Sequence, residues 1–280
     1  MSNEHVVIDA VGLRKVFRRA GRDNVAVAGA TFTMTHGRNL GIVGESGSGK
    51  STLARMIMGL ERTTDGAVSV CGEDMTVPAR SRAVRKRRAK LTQMVYQDPF
   101  GSLDPRQSVE SVLREVLQIH STGDRAQQQR RISELCDLVG LSREQRTRSP
   151  KDLSGGQRQR VAIARALAVE PSLIVLDEAV AALDISIQAQ ILNLLMDVQD
   201  ATGTNYVLIS HDLAVVAHLT DDVIVMRNGQ IVETGATESV LASPSMEYTR
   251  VLRDSVPSLE WRQEGVLETL AGRVIQEIGT

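Results

Sequence analysis

A glycine-rich loop near the start of the chain limits the fold more than any other feature. Residues 44–51 read GESGSGKS and fit the pattern G-x-x-x-x-G-K-[ST]. A short apolar segment, Asn39–Val43, precedes the loop, and a segment with helical spacing, Ser51–Leu60, follows it. Glycines let a backbone wrap closely around phosphate oxygens, and a helix N-terminus adds partial positive charge. The pattern therefore predicts a strand, a phosphate-binding loop and a helix, in that order.

We call residues 44–51 the phosphate loop. Lys50 is predicted to place its charge against the β- and γ-phosphates of a nucleotide, and the Ser51 hydroxyl to ligate Mg²⁺. The residues of this region predicted to contact nucleotide are Gly44, Glu45, Ser46, Gly47, Ser48, Gly49, Lys50, Ser51 and Thr52. The loop alone does not distinguish a kinase, a GTPase, a recombinase and a transporter motor.

The rest of the chain mostly alternates predicted strands and helices. This order favours an α/β fold with a largely parallel sheet, in which ligands bind at the carboxyl ends of the strands. Near the N-terminus, Val6–Val11 and Val25–Met34 are predicted strands joined by a turn at residues 21–24. The region from about Asp98 to Asp152 has helical spacing only, which predicts a helical insertion.

Composition narrows the classes of partner. The chain has 33 basic and 34 acidic residues, so it carries no overall field that would attract nucleic acid or an anionic membrane. No apolar run approaches the length of a membrane span, and the start lacks the pattern of a signal peptide. The widely spaced Cys71 and Cys136 match no metal site and indicate reduced thiols. Seven of eleven residues in Arg80–Lys90 are basic, which fits either a solvated helical face or a contact with lipid headgroups or an acidic partner.

Other residues suggest catalysis only weakly when each is taken alone. The apolar strand Leu173–Leu176 ends in Asp177 and Glu178, which suits a carboxylate that organises Mg²⁺ followed by one that orients water. Ordinary buried strands also end in Asp. Residues 153–157, LSGGQ, open a helix, Gln97 closes a strand, and His211 precedes another helix. Each of these is also typical of an ordinary cap or surface residue.

Together, and in this order, these residues resemble the ABC ATPase family over about residues 6–240. The phosphate loop resembles its Walker A motif and LIVLDE at 173–178 its Walker B motif. The remaining similarities are Gln97 to the Q-loop glutamine, residues 153–157 to the signature sequence, Ala182-Leu183-Asp184 to the D-loop, His211 to the H-loop histidine, and Phe17, by position, to the A-loop aromatic that stacks on adenine.

Three segments resemble the peptide/nickel branch of bacterial importers more closely. They are QDPFGSLDPRQSV at 97–109, DEAVAALDISIQAQIL at 177–192 and SPSMEYTRVL at 243–252. Two departures stand out. Ala181 occupies a position where the family usually has serine, and residues 243–280 lack the cysteine cluster that many of these subunits carry.

The resemblance implies a P-loop NTPase core with a largely parallel sheet, an N-terminal antiparallel β region and an inserted helical subdomain. It divides the chain into an ATPase domain at 1–242, with the helical subdomain inserted at about 98–157, and a C-terminal extension at 243–280.

The resemblance also implies a head-to-tail ATPase dimer with ATP sandwiched between the phosphate loop of one subunit and the signature sequence of the other. Glu178 would orient the water, and His211 and Gln97 would respond to the γ-phosphate. Mg²⁺ would be held by Ser51, Gln97 and Asp177. The remaining residues implied to contact nucleotide are Ser154, Gly155, Gly156, Gln157 and Asp184.

The implied partners are transmembrane permease subunits, a second ATP-binding subunit and, indirectly, an extracytoplasmic solute-binding protein. The implied location is the cytoplasmic face of the cell membrane. The cargo stays open among peptides, nickel chelates, glutathione and opines.

Two rival classes share part of the pattern. ABC ATPases that act on nucleic acid usually carry a long coiled-coil insertion or a second cassette, and neither is visible here, so no nucleic-acid partner is expected. A small-molecule kinase would explain the phosphate loop but not LSGGQ or His211.

Overall fold

The computed structural model describes residues 6–19, 22–98, 101, 103–120 and 123–255. The first five residues of the predicted ATPase domain, part of the predicted turn at 21–24 and residues 256–280 of the predicted C-terminal extension lie outside this range. The described residues form a six-stranded sheet, a four-stranded sheet and surrounding helices.

The strands are β1 (Val6–Arg19), β2 (Arg22–Thr35), β3 (Leu40–Val43), β4 (Asp65–Val70), β5 (Glu73–Asp74), β6 (Thr92–Tyr96), β7 (Leu173–Asp177), β8 (Asn205–Ile209), β9 (Asp222–Arg227) and β10 (Gln230–Ala236). The α-helices are α1 (Lys50–Ile57), α2 (Arg82–Leu91), α3 (Val109–His120), α4 (Arg125–Leu138), α5 (Arg143–Thr147), α6 (Gly155–Leu167), α7 (Ile185–Thr202), α8 (Leu213–Leu219), α9 (Thr237–Ala242) and α10 (Glu247–Asp254).

The six-stranded sheet has the order β10-β9-β3-β8-β7-β6 and is parallel except for β10, which pairs antiparallel with β9. Strands β3 and β8 are buried along their whole length, as strands covered on both faces must be. Alternate side chains therefore enter two separate cores. In β7, Ile174 and Leu176 join the core under the helices, whereas Leu173 and Val175 join the core under the four-stranded sheet. This arrangement confirms the predicted fold class.

The four-stranded sheet has the order β2-β1-β4-β5 and is antiparallel. Its β1–β2 hairpin is longer than predicted, and the turn predicted at residues 21–24 is wrong for Arg22–Asn24, which belong to β2. Phe17 pairs with Asn24 in this extended arm. The arm escaped prediction because its side chains are mostly exposed and polar, so backbone pairing continues there without an apolar alternation.

The region between β6 and α6 is helical, and its described residues contain no strand. Helix α3 buries Val109, Val112, Leu113 and Leu117. Helix α4 begins at Arg125, because Asp124 and Gln127 form a capping box at its start.

The basic run forms α2, with most of its charges exposed. Arg88 is the buried member, and it donates to the carbonyl oxygens of Val77 and Asp74 at 2.6 Å each. None of the helices in the described part of the chain combines the length and the apolar character needed to cross a membrane.

Candidate nucleotide-binding site

The phosphate loop follows β3 directly and is fixed by two close backbone approaches. Gly44 and Gly49 have φ values of 145° and 107°. A Cβ atom at Gly44 would lie 2.1 Å from the Met226 carbonyl oxygen, and one at Gly49 would lie 2.2 Å from the Ala26 carbonyl oxygen. Only glycine fits between the loop and these backbones, so the pattern of glycines is a requirement of packing as well as of phosphate access.

Two parts of the chain hold the loop through hydrogen bonds, and β2 in turn supports one of them. The β9–β10 turn donates from the Gly229 amide to the Ser48 carbonyl at 2.9 Å, and the Gly229 carbonyl in turn accepts from Ala28 of β2 at 2.8 Å. The Glu45 amide donates to the phenol oxygen of Tyr248, in α10, at 3.1 Å. The loop is therefore supported by elements that lie far from it in the sequence.

Lys50 begins α1 and is only 6% exposed. Its Nζ donates to the carbonyl oxygens of Gly44 at 2.7 Å and Glu45 at 2.8 Å. Burial lowers the pKa of Lys50, and the nearby carboxylates of Glu178, Asp177 and Glu45 oppose this shift. The cation thus lies inside the curve of the loop, bound to carbonyls that phosphate oxygens can replace.

Asp177 ends β7 beside the start of α1, and its Oδ1 lies 3.5 Å from the Ser51 Oγ. Burial and the adjacent Glu178 raise the pKa of Asp177, while Arg55, Ser51 and Lys50 oppose the rise. A cation would relieve this destabilised carboxylate. Ser51 and Asp177 offer a hydroxyl and a carboxylate oxygen side by side, and such a pair fits Mg²⁺, which binds through one or two protein groups plus phosphate oxygens and water.

Glu178 has a left-handed backbone with φ of 50°, a conformation that costs a non-glycine residue about 1 kcal/mol. Its amide donates to the Ile209 carbonyl at 3.0 Å, which ties the strained residue to the end of β8. The His211 Nδ1 lies 3.4 Å from the Glu178 Oε1. Strain of this kind is concentrated at functional sites.

An open cleft of about 590 Å³ joins these groups. It lies where β6 and β7 end, as expected for a parallel sheet. Of the predicted site residues, the structure brings Ser51, Gln97, Asp177 and Glu178 to its walls, which Tyr96, Asp98 and Gly101 complete. Two predicted residues lie next to these walls: Lys50 interacts electrostatically with Asp177 and Glu178, and His211 contacts Glu178.

The other predicted residues lie elsewhere. Phe17 is 39% exposed on β1, with the Lys15 ammonium 4.8 Å from its ring centroid. No residue from 154 to 157 is among the described residues that line the cleft, and neither is Asp184. Ser154 is exposed and caps α6 through a capping box with Gln157.

The predicted signature sequence and D-loop instead form a second surface together. A Cβ atom at Gly155 would lie 3.4 Å from Leu183, and one at Gly156 would lie 2.5 Å from Ile187. Next to Asp184, the side chain of Ile185 is 78% exposed. We call residues 153–157 and 181–186 the signature surface.

A model of the ABC transporter family matches residues 27–181, which is more than half of the chain. The chain belongs to this family. The Mycobacterium tuberculosis oligopeptide transport ATP-binding protein OppD is 45% identical over 250 residues, or 89% of this chain and 40% of the relative. The Haemophilus influenzae dipeptide transport ATP-binding protein DppF is 40% identical over 260 residues, covering 90% of this chain and 79% of the relative. The chain thus spans well under half the length of the mycobacterial relative.

Solved ABC structures have the same fold. CbiO1 of Clostridium perfringens, part of an ABC transporter complex, has a TM-score of 0.76 at 25% identity and covers 91% of this chain and 97% of that one. The ATP-binding cassette MJ0796, solved as a dimer bound to ADP and Pi, has a TM-score of 0.73 at 25% identity and covers 82% and 98%. The predicted family and fold are confirmed, while the roles of individual residues in this ABC cassette stay predictions.

Besides the cleft-lining Tyr96, Asp98 and Gly101, sequence reasoning missed two residues that support the phosphate loop. Tyr248 contacts the phosphate loop, and the Arg227 guanidinium carbon lies 4.7 Å from the centroid of its ring. A signal for Tyr248 was present, because it falls within the 243–252 segment that resembles the peptide/nickel branch of the ABC family. The sequence predicts no role for that segment, because nothing local shows which part of the cassette it contacts.

Proposed function

We propose that this chain binds and hydrolyses ATP as the energising subunit of an ABC importer, with peptides or a related small solute such as a nickel chelate, glutathione or an opine as cargo. The observation that carries the proposal is the cleft at the carboxyl edge of the sheet, which Ser51, Asp177 and Glu178 line and whose two carboxylates interact electrostatically with Lys50. The names of the relatives, which are oligopeptide and dipeptide transport ATP-binding proteins, support the choice of cargo class.

In the proposed mechanism the phosphate loop provides binding and positioning. Residues 44–52 surround the phosphates, and the loop amides that have no partner among the described residues point at their oxygens, while Lys50 exchanges its bonds with the Gly44 and Glu45 carbonyls for bonds with β- and γ-phosphate oxygens. Ser51, Asp177 and Gln97 hold Mg²⁺, which when bound neutralises the charge that gathers on those oxygens. Phe17 stacks on the adenine ring.

Glu178 is the proposed base. Water attacks the γ-phosphorus, the bond to the bridging oxygen of ADP breaks, and the water proton passes to the Glu178 carboxylate. The Ile209 carbonyl fixes the Glu178 backbone, and His211 lies beside its carboxylate, so the chain can hold this group in one orientation. His211 and Gln97 would in addition sense the γ-phosphate.

A second ATP-binding subunit, identical or different, is proposed to complete each site with its Ser154, Gly155, Gly156 and Gln157, and with Asp184. Three observations support this step. The α6 N-terminus carries partial positive charge that favours an anion, its capping residue Ser154 is exposed, and Ile185 presents an apolar side chain that has no cover within the described residues. The dimeric state of MJ0796 with ADP and Pi is consistent with such pairing.

We further propose that the chain lies at the cytoplasmic face of the cell membrane, held peripherally by permease subunits that receive cargo from an extracytoplasmic solute-binding protein. The ATPase domain would be residues 1–242, with the helical subdomain inserted at about 98–157, and residues 243–280 a C-terminal extension. Gln97 joins the end of β6 to the helical region, so its movement can carry the nucleotide state toward the permease.

The test is an ATPase assay on the purified chain, alone and with candidate partner subunits. We expect ADP and inorganic phosphate as the products, an absolute need for Mg²⁺ and no response to DNA or RNA. Stimulation by nucleic acid, or transfer of phosphate to a small-molecule acceptor, would overturn the proposal. Uptake of labelled di- and oligopeptides by vesicles that contain the permease subunits then tests the cargo class.

A further inference from the structure

The segment that follows α9, residues 243–255, reaches back to the phosphate loop. We call it the C-terminal segment. Its Tyr248 is 8% exposed, and its phenol oxygen accepts a hydrogen bond from the Glu45 amide at 3.1 Å. The two residues are 203 positions apart in the sequence. A buried tyrosine must satisfy its hydroxyl, and here it does so on the second residue of the loop.

Two further contacts fix the C-terminal segment in place. The Glu233 carboxylate, on β10, accepts from the Ser245 amide at 2.7 Å and from the Met246 amide at 3.4 Å. The Arg227 guanidinium lies over the Tyr248 ring. Arg227 follows Met226, whose carbonyl packs against Gly44, so the same strand end supports both the tyrosine ring and the start of the loop.

Glu45 is held through both of its backbone groups. Its carbonyl accepts from Lys50 and its amide donates to Tyr248. When Lys50 turns from the carbonyls to the phosphates, the Tyr248 bond is the one of these two that stays. Because Gly44, just before Glu45, has a backbone with little intrinsic restraint, this bond limits the conformations of the empty and filled loop alike.

We propose that Tyr248 is a positioning residue for nucleotide binding, and that the C-terminal segment is part of the nucleotide site through it. This inference rests on the proposed function in one respect, namely that the phosphate loop binds ATP. Tyr248 acts on the loop and not on the reacting atoms, so its loss weakens binding and leaves the chemical step unchanged.

The test compares Tyr248→Phe with Tyr206→Phe in the full chain. Tyr206 also has a buried phenol that donates to a backbone group, the Leu195 carbonyl of α7 at 2.9 Å, but it lies on β8 away from the loop. We expect Tyr248→Phe to raise the Kd and KM for Mg-ATP about three- to tenfold, with kcat changed less than about twofold. Each variant loses one buried hydrogen bond, so both should lower the melting temperature by a similar amount. Tyr206→Phe should nevertheless leave the Kd and KM for Mg-ATP at the wild-type values.

Unchanged nucleotide affinity in Tyr248→Phe overturns the proposal, and so does an equal rise in KM in Tyr206→Phe, which would mark a general loss of stability. If Tyr248→Phe fails to fold, Glu233→Gln decides, because it keeps the phenol but loosens the turn that carries it. A raised KM in that variant supports the proposal, and an unchanged KM overturns it. A failure of the proposed function is distinct, since the wild-type chain itself would then not bind Mg-ATP.

Discussion

The phosphate loop and the signature surface differ in how far folding completes them. The β9–β10 turn and α10 hold the loop through hydrogen bonds, and β2 packs closely against it. Lys50 is 6% exposed and donates two hydrogen bonds to loop carbonyls. The signature surface has an exposed Ser154 and a neighbouring Ile185 that is 78% exposed. In the proposed mechanism, the chain itself builds one half of the ATP site, and a second subunit would supply the other half.

The largest effect is expected from Lys50→Ala. It removes the cation that the loop offers to the phosphates, and ATP turnover should fall at least about 1000-fold. The fold should survive, because only two carbonyl bonds are lost. Phosphate release and a thermal melt measure the two effects, with the exposed Lys90→Ala as control. Wild-type turnover by folded Lys50→Ala would remove the loop from the mechanism.

Glu178→Gln should slow hydrolysis about 100-fold or more while ATP binding stays intact, since the amide keeps the shape but cannot take a proton. The closed dimer should then accumulate in Mg-ATP, as measured by size-exclusion chromatography alone and with a paired ATPase. Glu170→Gln is the matched control, because Glu170 is also a glutamate with a left-handed backbone, φ of 54°, but its carboxylate pairs with Arg131. A monomeric Glu178→Gln protein with wild-type turnover contradicts the assignment.

Mixing two inactive variants tests whether the halves belong to different chains. Lys50→Ala removes the cation of the phosphate loop, and Ser154→Arg places a large side chain on the signature surface. Each homodimer should therefore be inactive. In an equal mixture, half of the dimers retain one intact composite site, and activity should recover to about a quarter of wild type.

Ser81→Arg is the control for this experiment, since Ser81 is also an N-cap, at α2. If the mixture stays inactive, each variant is combined with a candidate different ATP-binding subunit. Activity of Ser154→Arg alone would show that the signature surface is not required.

The smallest effects concern glycines on the two surfaces. Gly49→Ala would push a Cβ atom into a backbone carbonyl at a positive φ, so it should lower the free energy of unfolding by more than about 2 kcal/mol. Gly156→Ala would place its Cβ 2.5 Å from the Cγ2 atom of Ile187, so this stiff side chain must shift; better helix propensity offsets part of that cost, and the net loss should be about 1–2 kcal/mol, below that of Gly49→Ala.

Gly47→Ala separates strain from collision, because its φ is also positive but nothing lies within 4 Å of the new atom; about 1 kcal/mol is expected. Chemical denaturation measures all three changes. A larger loss for Gly156→Ala than for Gly49→Ala would reverse the comparison between the two surfaces.

Local patterns predicted the features that depend on neighbouring residues. The strand–loop–helix unit that begins near Leu40 and the strand that ends at Asp177 appear where the sequence indicated them, because burial and glycine spacing act over a few residues, although α1 ends at Ile57, three residues before the predicted Leu60. The exposed hairpin arm, the left-handed backbone of Glu178 and the Tyr248–Glu45 bond could not be predicted in this way. Each depends on tertiary contacts, and the last joins positions 203 residues apart.

The hydrogen bonds from Lys50 to the loop carbonyls bear on how the proposed ATPase releases its product. A lysine without partners in an empty site would make every phosphate ligand very hard to release. In the proposed cycle the vacated lysine would return to the Gly44 and Glu45 carbonyls, so the departure of ADP would be compensated inside the protein. The loop carbonyls would thus compete with the phosphate oxygens of ADP for Lys50, which favours rapid exchange of nucleotide over tight binding.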